Sequence, residues 1–240
     1  MIGYDLLTGP KKDMAKSADA VEAILRQATN LADILSYSFD TPSGIPRNTL
    51  FITPNGTQHS DDETNGIATI GTLILEWTRL SDLTGDPKYT NLVQKAENYL
   101  LKPLNPELGE PFPGLIGTEL NVTTGKFIDG NGGWNGGTDS FYEYLIKMYL
   151  YNTEKYGVYL ERWITAIDSS IKHLTSHPTT RPDITFLAAY RGRTLNLVST
   201  HREYHATGVL RVVANRYRSG MLRRRQLHSR RSHARQPGVH

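Results

Sequence analysis

Apolar side chains recur at helical spacing through most of the chain. From Ala20 to Tyr37 they return every three or four residues, which is the spacing of one face of an amphipathic helix, and Asp19 is the predicted cap. A second helix is predicted after the acidic residues 61–63, and it ends at Thr84-Gly85-Asp86-Pro87. A third is predicted from Tyr89 to Leu101. The short connection between the last two predicts an antiparallel helix hairpin.

The residues from Lys102 to Gly137 form a long loop rich in proline and glycine, of a length that is uncommon unless the loop is functional. Two helices are predicted after it, from Asp139 to about Asn152 and from Tyr159 to His173, as a second hairpin. Short strands are predicted at 186–190 and 195–198. The predicted inner faces of the hairpins include Ile74, Trp77, Leu145, Trp163 and Ile167. The pattern predicts a mainly α protein built of antiparallel helix hairpins.

A glycine-rich loop and the helix after it hold the candidate chemistry. Five of the eight residues at 130–137 are glycine, which lets the backbone approach a ligand closely. Asp139 and Ser140 offer N-cap oxygens, and Glu143 is spaced to complete a capping box. The two carboxylates lie on one edge of the positive end of the helix, which suits the binding of a polyol or sugar on which Trp134 could stack. The spacing leaves open that Asp139 only caps the helix and that Glu143 is solvated.

Bulk composition fits one domain with a sizeable core, since the chain has 240 residues of which 38% are hydrophobic. No apolar run approaches the roughly 20 residues needed to span a membrane, and no signal peptide is visible at the N-terminus. The lack of cysteine rules out disulfides without fixing the compartment. Two glycosylation sequons, at Asn55 and Asn121, fit a protein of the secretory pathway.

The net charge of +3 conceals a division near residue 201. Residues 202–240 contain ten arginines, no lysine and one acidic residue, a formal charge of +9, whereas the 17 basic and 23 acidic residues of 1–201 give −6. Arginine clusters can contact phosphates. The absence of lysine and of interleaved aromatic residues argues against nucleic acid as a partner. We expect 202–240 to be an arginine-rich tail that is disordered or out of frame.

Six segments in collinear order carry a family resemblance. They are YDLLTGP at 4–10, FDTPSGIPRNT at 39–49, GIATIGTLILEWTRLSDLTGDPKY at 66–89, GEPFPGLIGT at 109–118, GGWNGGTDSFYEYLIKMYLY at 132–151 and SHPTTRPDITFLAAY at 176–190. Together they resemble the family 47 glycoside hydrolases, the class I α-1,2-mannosidases, of fungal type. The resemblance covers 1–201. It implies that these residues are part of the mannosidase catalytic domain, a partial (α/α)7 barrel or toroid with long loops at one end.

The resemblance also implies a chemistry, which is the inverting, Ca²⁺-dependent hydrolysis of α-1,2-linked mannose in high-mannose N-glycans. Inverting glycosidases need one carboxylic acid to protonate the leaving oxygen and one carboxylate to activate water. On this match Asp139 is one of three essential carboxylates, and Glu143 and His201 bind the substrate. Gly137 stands where members that remove a single mannose carry arginine, which implies broader trimming. Members of the family work in the ER or Golgi or are secreted.

Several parts of the family pattern have no counterpart in this sequence. The acid glutamate would come before Ile2, and the base glutamate and the calcium-ligating threonine would come in later segments. After His201 the expected Leu-x-Cys-Phe is replaced by unrelated sequence. We therefore expect no metal ligand of the family in this chain and no mannosidase activity from the 240 residues alone. The alternative interpretation is a non-catalytic protein that binds mannose or a glycan in the same cleft, and an arginine-rich tail that binds nucleic acid ranks below both.

Overall fold

The computed structural model describes residues 1–54 and 56–196, which are mainly helical with short strands between the helices. The helices are α1 Ile2–Thr8, α2 Ala18–Leu35, α3 Ile67–Gly71, α4 Ile74–Thr84, α5 Lys88–Leu101, α6 Pro106–Gly109, α7 Asp139–Tyr151 and α8 Gly157–Ser169. The strands are β1 Leu50–Thr53, β2 Gly56–His59, β3 Thr64–Gly66, β4 Glu119–Asn121, β5 Asn131–Gly132, β6 Thr175–Ser176, β7 Phe186–Leu187, β8 Ala189–Arg191 and β9 Thr194–Asn196. A π-helical turn, Ser170–Leu174, continues α8.

Two helix pairs form the frame of the structure, as the apolar periodicity predicts. Helix α4 packs against α5, and α7 packs against α8. The predicted inner residues are all buried, namely Ile74, Trp77, Leu145, Trp163 and Ile167. Between α4 and α5, Gly85 adopts φ +75° and donates its N–H to the Ser81 carbonyl at 2.8 Å, which ends α4 as glycine commonly does. Because α7 also packs against α3 and α4, both pairs share one core.

Two details of the predicted helices are wrong. The first long helix is capped by Ser17, whose Oγ accepts a hydrogen bond from the Ala20 N–H at 3.1 Å, and not by Asp19. Ser17 has the extended backbone of an N-cap residue, whereas Asp19 already lies in the first turn, where its charge still faces the positive end. The second predicted helix is two helices, since α3 ends at Gly71 and α4 begins at Ile74.

The long loop between α5 and α7 is a packed part of the structure. Leu115 and Ile116 are fully buried within it. The Asp129 carboxylate accepts hydrogen bonds from the Thr118 N–H at 2.9 Å and the Thr118 hydroxyl at 2.7 Å. Strand β4 pairs antiparallel with β3, so the loop is also joined to the segment before α3. These contacts hold the loop in one shape where it leads into α7.

The residues after α8 return to the glycine-rich loop. Strands β5, β8 and β9 form a three-stranded antiparallel sheet in which Gly132 pairs with Tyr190. The predicted strand at 186–190 is divided between β7 and β8, and β9 begins one residue before the predicted strand at 195–198. Asn55, residues 197–198, His201 and the tail 202–240 lie outside the described residues. Within them, no helix combines the length and apolar character needed to cross a membrane.

Candidate active site

Asp139 is the first residue of α7 and follows the glycine-rich loop directly. The N-cap is Thr138, which is buried and makes no side-chain capping bond to α7. Its hydroxyl instead bonds to the carbonyl oxygens of Gly133 at 2.8 Å and Asn135 at 3.0 Å. The predicted capping box with Glu143 is therefore wrong, because the side chain of the N-cap residue bonds to the loop and not to the backbone of α7. The Thr138 hydroxyl thus holds Gly133 and Asn135 of the loop against the start of α7.

The two candidate carboxylates lie on the exposed side of the first turns of α7. The Asp139 side chain is exposed, and its Oδ1 accepts a hydrogen bond from the Ser140 N–H at 2.8 Å. Glu143 forms an ion pair with Lys147 one turn later, with Oε1 and Nζ 2.7 Å apart, and about half of each side chain stays exposed. Asp139 thus presents its carboxyl group to solvent at the positive end of a helix.

Trp134 is a structural part of the loop as well as a candidate sugar contact. Its indole N–H donates to the Ser170 hydroxyl at 2.7 Å, which joins the loop to the turn after α8. Its ring lies 4.5 Å from the ring of Tyr142, tilted by 31°. The side chain is half-buried, so only the part of the ring that remains exposed is open to a sugar.

A buried pair of tyrosines supports the start of α7, and sequence reasoning did not single it out. The Tyr142 hydroxyl accepts the N–H of Ile116 at 3.1 Å, and the Tyr190 hydroxyl donates to the carbonyl of the same residue at 2.7 Å. Burial raises the pKa of both tyrosines, whose hydroxyls also interact with each other. A Cβ on Gly132 would lie 2.3 Å from the Tyr190 oxygen, so this network requires glycine there. The aromatic content of the segment was the only signal in the sequence.

Two further polar contacts surround this framework. Glu110 and Arg162 form a largely buried ion pair with Oε1 and Nη1 2.7 Å apart, and the same carboxylate oxygen accepts the N–H of Gly114 at 2.6 Å. On the exposed side of α7, the Tyr144 hydroxyl donates to Glu76 at 3.1 Å. Burial and that carboxylate raise the pKa of Tyr144 to about 12. Helix α7 is therefore joined to α4 by a polar contact in addition to the shared core.

The other predicted site residues are placed as follows. Asn121 is half-buried at the end of β4, and its side-chain oxygen accepts the N–H groups of Thr123 at 3.0 Å and Thr124 at 2.9 Å. Asn55 and His201 are outside the described residues. In 1–54 and 56–196 no group of three or more His, Asp or Glu side chains could hold a metal ion. The described residues therefore do not by themselves fit a calcium ion, which takes six to eight oxygen ligands.

The model of glycosyl hydrolase family 47 matches residues 3–233 of the sequence. This chain belongs to glycosyl hydrolase family 47. The matched range continues past residue 201, where the resemblance in the sequence analysis ended. Asp139, Glu143 and the loop before them lie inside it.

Two fungal relatives illustrate the similarity. The chain is 56% identical over 199 residues to the probable mannosyl-oligosaccharide alpha-1,2-mannosidase 1B of Aspergillus clavatus. It is 54% identical over 199 residues to the mannosyl-oligosaccharide alpha-1,2-mannosidase of Penicillium citrinum. Each alignment covers 83% of this chain and 38% of the relative. The chain therefore spans about two fifths of the length of the curated relatives it matches.

The solved alpha-1,2-mannosidase from Trichoderma reesei has a similar structure. It superimposes with a TM-score of 0.77 at 50% sequence identity, over 80% of this chain and 39% of that chain. The helix pairs of this family 47 chain thus form part of an α/α barrel, and the prediction of a partial barrel is confirmed.

Proposed function

We propose that this family 47 chain carries one part of the active site of a mannosyl-oligosaccharide α-1,2-mannosidase, which hydrolyses α-1,2-linked mannose in high-mannose N-glycans with inversion. The observation that carries the proposal is the position of Asp139, an exposed carboxylate in the first turn of α7. The supporting fact is similarity at 54–56% identity to proteins named for that activity.

In this proposal Asp139 is one of the carboxylates that act at the glycosidic bond. It lies at the positive end of α7, and the loop bonds of Thr138 hold it in place. Glu143 accepts hydrogen bonds from sugar hydroxyls on the same edge, with Lys147 limiting its rotation. Trp134 contributes its exposed ring surface, and His201 a further substrate contact.

One aspartate cannot complete inverting hydrolysis. The reaction needs a protonated acid and a carboxylate base about 6.5–9.5 Å apart, on opposite sides of the scissile bond. Glu143 cannot serve as the partner, because it shares the helix edge of Asp139 and is ion-paired. Calcium belongs to the proposal as an expectation from the family, and no step of the proposal depends on it.

The secretory pathway is the proposed location of the protein. N-glycans are products of that pathway, and the Asn121 sequon lies in a turn.

The first experiment measures mannose release from an α-1,2-linked oligosaccharide. The 240-residue chain should release none, because the acid and base glutamates of the family pattern have no counterpart in this sequence. Each such group contributes about 10²–10⁴-fold to the rate. A chimera in which residues 1–196 replace their counterpart in the Trichoderma reesei protein should release mannose. Asp139→Asn in the chimera should abolish turnover, since the amide is nearly isosteric but carries no charge and accepts no proton. Glu161→Gln, an exposed change on α8, is the control. Full activity of the Asp139→Asn chimera would leave Asp139 as a structural residue.

A second function is non-catalytic recognition of mannose, which the exposure of Asp139 and Glu143 to solvent favours. Carboxylate oxygens accept hydrogen bonds from sugar hydroxyls whether or not hydrolysis follows. Titration of the 240-residue chain with α-1,2-mannobiose, followed by calorimetry, tests it. Binding that weakens in Asp139→Asn without mannose release would support recognition. The same affinity in both proteins would contradict recognition of mannose through Asp139.

A further inference from the structure

Helix α5 carries a carboxyl group in the interior of the shared core. Glu97 is 1% exposed. Within the described part of the chain, neither Oε1 nor Oε2 has a hydrogen-bond partner. Most buried polar groups in proteins are hydrogen-bonded, and an ionised carboxylate in such a place is strongly disfavoured. This side chain has no part in the proposed active site, so its burial needs its own explanation.

Among residues 1–54 and 56–196, the elements packed against α5 supply no cation to Glu97. The buried residues of α3 and α4 are apolar, hydroxyl-bearing or glycine, and so are those of the short turn at 36–39. From α8, Tyr159 is the titratable group that interacts with Glu97, and its hydroxyl accepts the Gln94 amide at 3.0 Å. Arg162 lies one turn further along α8, but its guanidinium is paired with Glu110 at 2.7 Å. On α5 itself, the side chain of Lys95 lies against Gly44, on another side of the helix.

A carboxyl group in these surroundings has one low-energy form. With no cation and no donor at hydrogen-bond distance among the described residues, the charge would be neither solvated nor compensated. The geometry points to Glu97 as a carboxylic acid that keeps its proton in the folded protein at neutral pH, so that the fold loses stability as the pH rises. It is a pH-sensitive element of the core, separate from Asp139 and independent of the proposed mannosidase function.

The direction of the effect follows from linkage. Burial raises the pKa of Glu97 well above its ordinary value. The unfolded chain releases this proton near its reference pKa of about 4.3, whereas the folded chain retains it to higher pH. Above about pH 4.3 the folded state therefore binds more protons than the unfolded state, and stability falls with rising pH until the folded pKa is passed. The stabilisation is complete below the unfolded pKa.

The test is equilibrium urea unfolding of the 240-residue chain between about pH 5 and about pH 8, followed by tryptophan fluorescence. The variant is Glu97→Gln, which keeps the shape and cannot ionise. Glu161→Gln is the matched control, because it removes an exposed glutamate from α8. Relative to Glu97→Gln, the unfolding equilibrium constant of the unmodified chain should rise by up to about tenfold per pH unit, the limit for one proton. Glu161→Gln should follow the unmodified chain.

Three results would overturn the inference. The first is parallel pH profiles of the unmodified chain and Glu97→Gln. The second is a Glu97→Gln protein that fails to fold, whether or not Glu97→Leu folds, since a neutral carboxylic acid should tolerate replacement by its amide. The third comes from infrared difference spectroscopy at neutral pH. A protonated carboxyl band that is present in the unmodified chain and lost in Glu97→Gln would support the inference, and absence of the band would refute it.

Discussion

The indole N–H of Trp134 donates a hydrogen bond to the Ser170 hydroxyl across 2.7 Å. Ser170 in turn donates to the carbonyl of Ala166 at 2.7 Å, so one buried hydroxyl links the glycine-rich loop to the end of α8. Together with the Thr138 hydroxyl bonds and the pairing of β5 with β8, this contact fixes a loop in which five of the residues 130–137 are glycine. The shape of the approach to Asp139 therefore depends on a contact made far along the chain.

Removing that hydroxyl should cost more than removing a similar one elsewhere. Ser170→Ala leaves the Trp134 N–H without its partner, and we expect a loss of about 1–3 kcal/mol in the free energy of unfolding. Ser36→Ala is the control, because Ser36 also donates to the carbonyl four residues back, at 2.7 Å, and serves no indole. Urea unfolding of both variants measures the difference. Equal losses would mean that the indole hydrogen bond contributes nothing.

The sequence was sufficient to predict the helix hairpins and insufficient to predict what fastens them. The apolar period found the packed faces because burial of one face decides where an amphipathic helix lies. Residues such as Trp77 and Trp163 follow that period and are buried. The cap at Ser17 and the break after Gly71 depend on local backbone geometry, for which several neighbouring residues were equally suitable.

The tyrosine pair at Ile116 gives a second prediction. Tyr142→Phe removes the acceptor of the Ile116 N–H, and Tyr190→Phe removes the donor to its carbonyl. Each should destabilise the protein by about 1–3 kcal/mol, since the orphaned backbone group is buried. The double variant should lose less than the sum of the two, because both hydroxyls serve one peptide segment, with a coupling of about 0.5–3 kcal/mol. A double-mutant cycle in urea measures it. Strict additivity would show that the two tyrosines act independently.

The candidate site was predictable only in part for a related reason. Asp139 and Glu143 follow from spacing, since four residues on a helix place two side chains on one edge. Tyr142 lies on the buried face of α7, where the apolar period indicates packing but not a hydrogen bond, and Tyr190 reaches the site through the pairing of β8 with β5. Such long-range pairing leaves no periodic signal in either segment. The sequence pattern therefore predicted the two acids but not the residues that position them.

Glycine at 114 is a third testable position. Gly114 has φ +79°, and a Cβ there would lie 2.5 Å from the backbone nitrogen of Ala166. Gly85 has φ +75° and no atom within 4 Å of an added Cβ. Gly85→Ala should thus cost only the left-handed backbone strain of about 1–2 kcal/mol. Gly114→Ala should cost clearly more, because α8 would have to move. Thermal unfolding of both variants checks this, and similar losses would show that the loop can shift away from α8.

The ion pair between Glu110 and Arg162 should matter more than a comparable pair at the surface. The side chains are 17% and 12% exposed, and Arg162 also approaches the carbonyl of Leu100 at 3.5 Å. Arg162→Met would leave the Glu110 carboxylate buried with the Gly114 N–H as its remaining partner. Breaking a buried pair from one side costs about 3–5 kcal/mol, largely because the remaining charge is uncompensated.

The matched control for that pair is Lys88→Met. Lys88 Nζ and Asp33 Oδ1 lie 2.7 Å apart with nearly half of each side chain exposed, and surface pairs contribute about 0–1 kcal/mol to stability. The hydrogen bond from Lys88 lowers the pKa of Asp33. The contribution of this pair to stability is therefore present above the unfolded pKa of Asp33, about 3.9, and is lost as the pH falls through the lower folded pKa. Urea unfolding near neutral pH should separate the two variants by at least about 2 kcal/mol. Equal losses would mean that water reaches Glu110 when Arg162 is removed, and that the loop over α8 opens more readily than its buried contacts indicate.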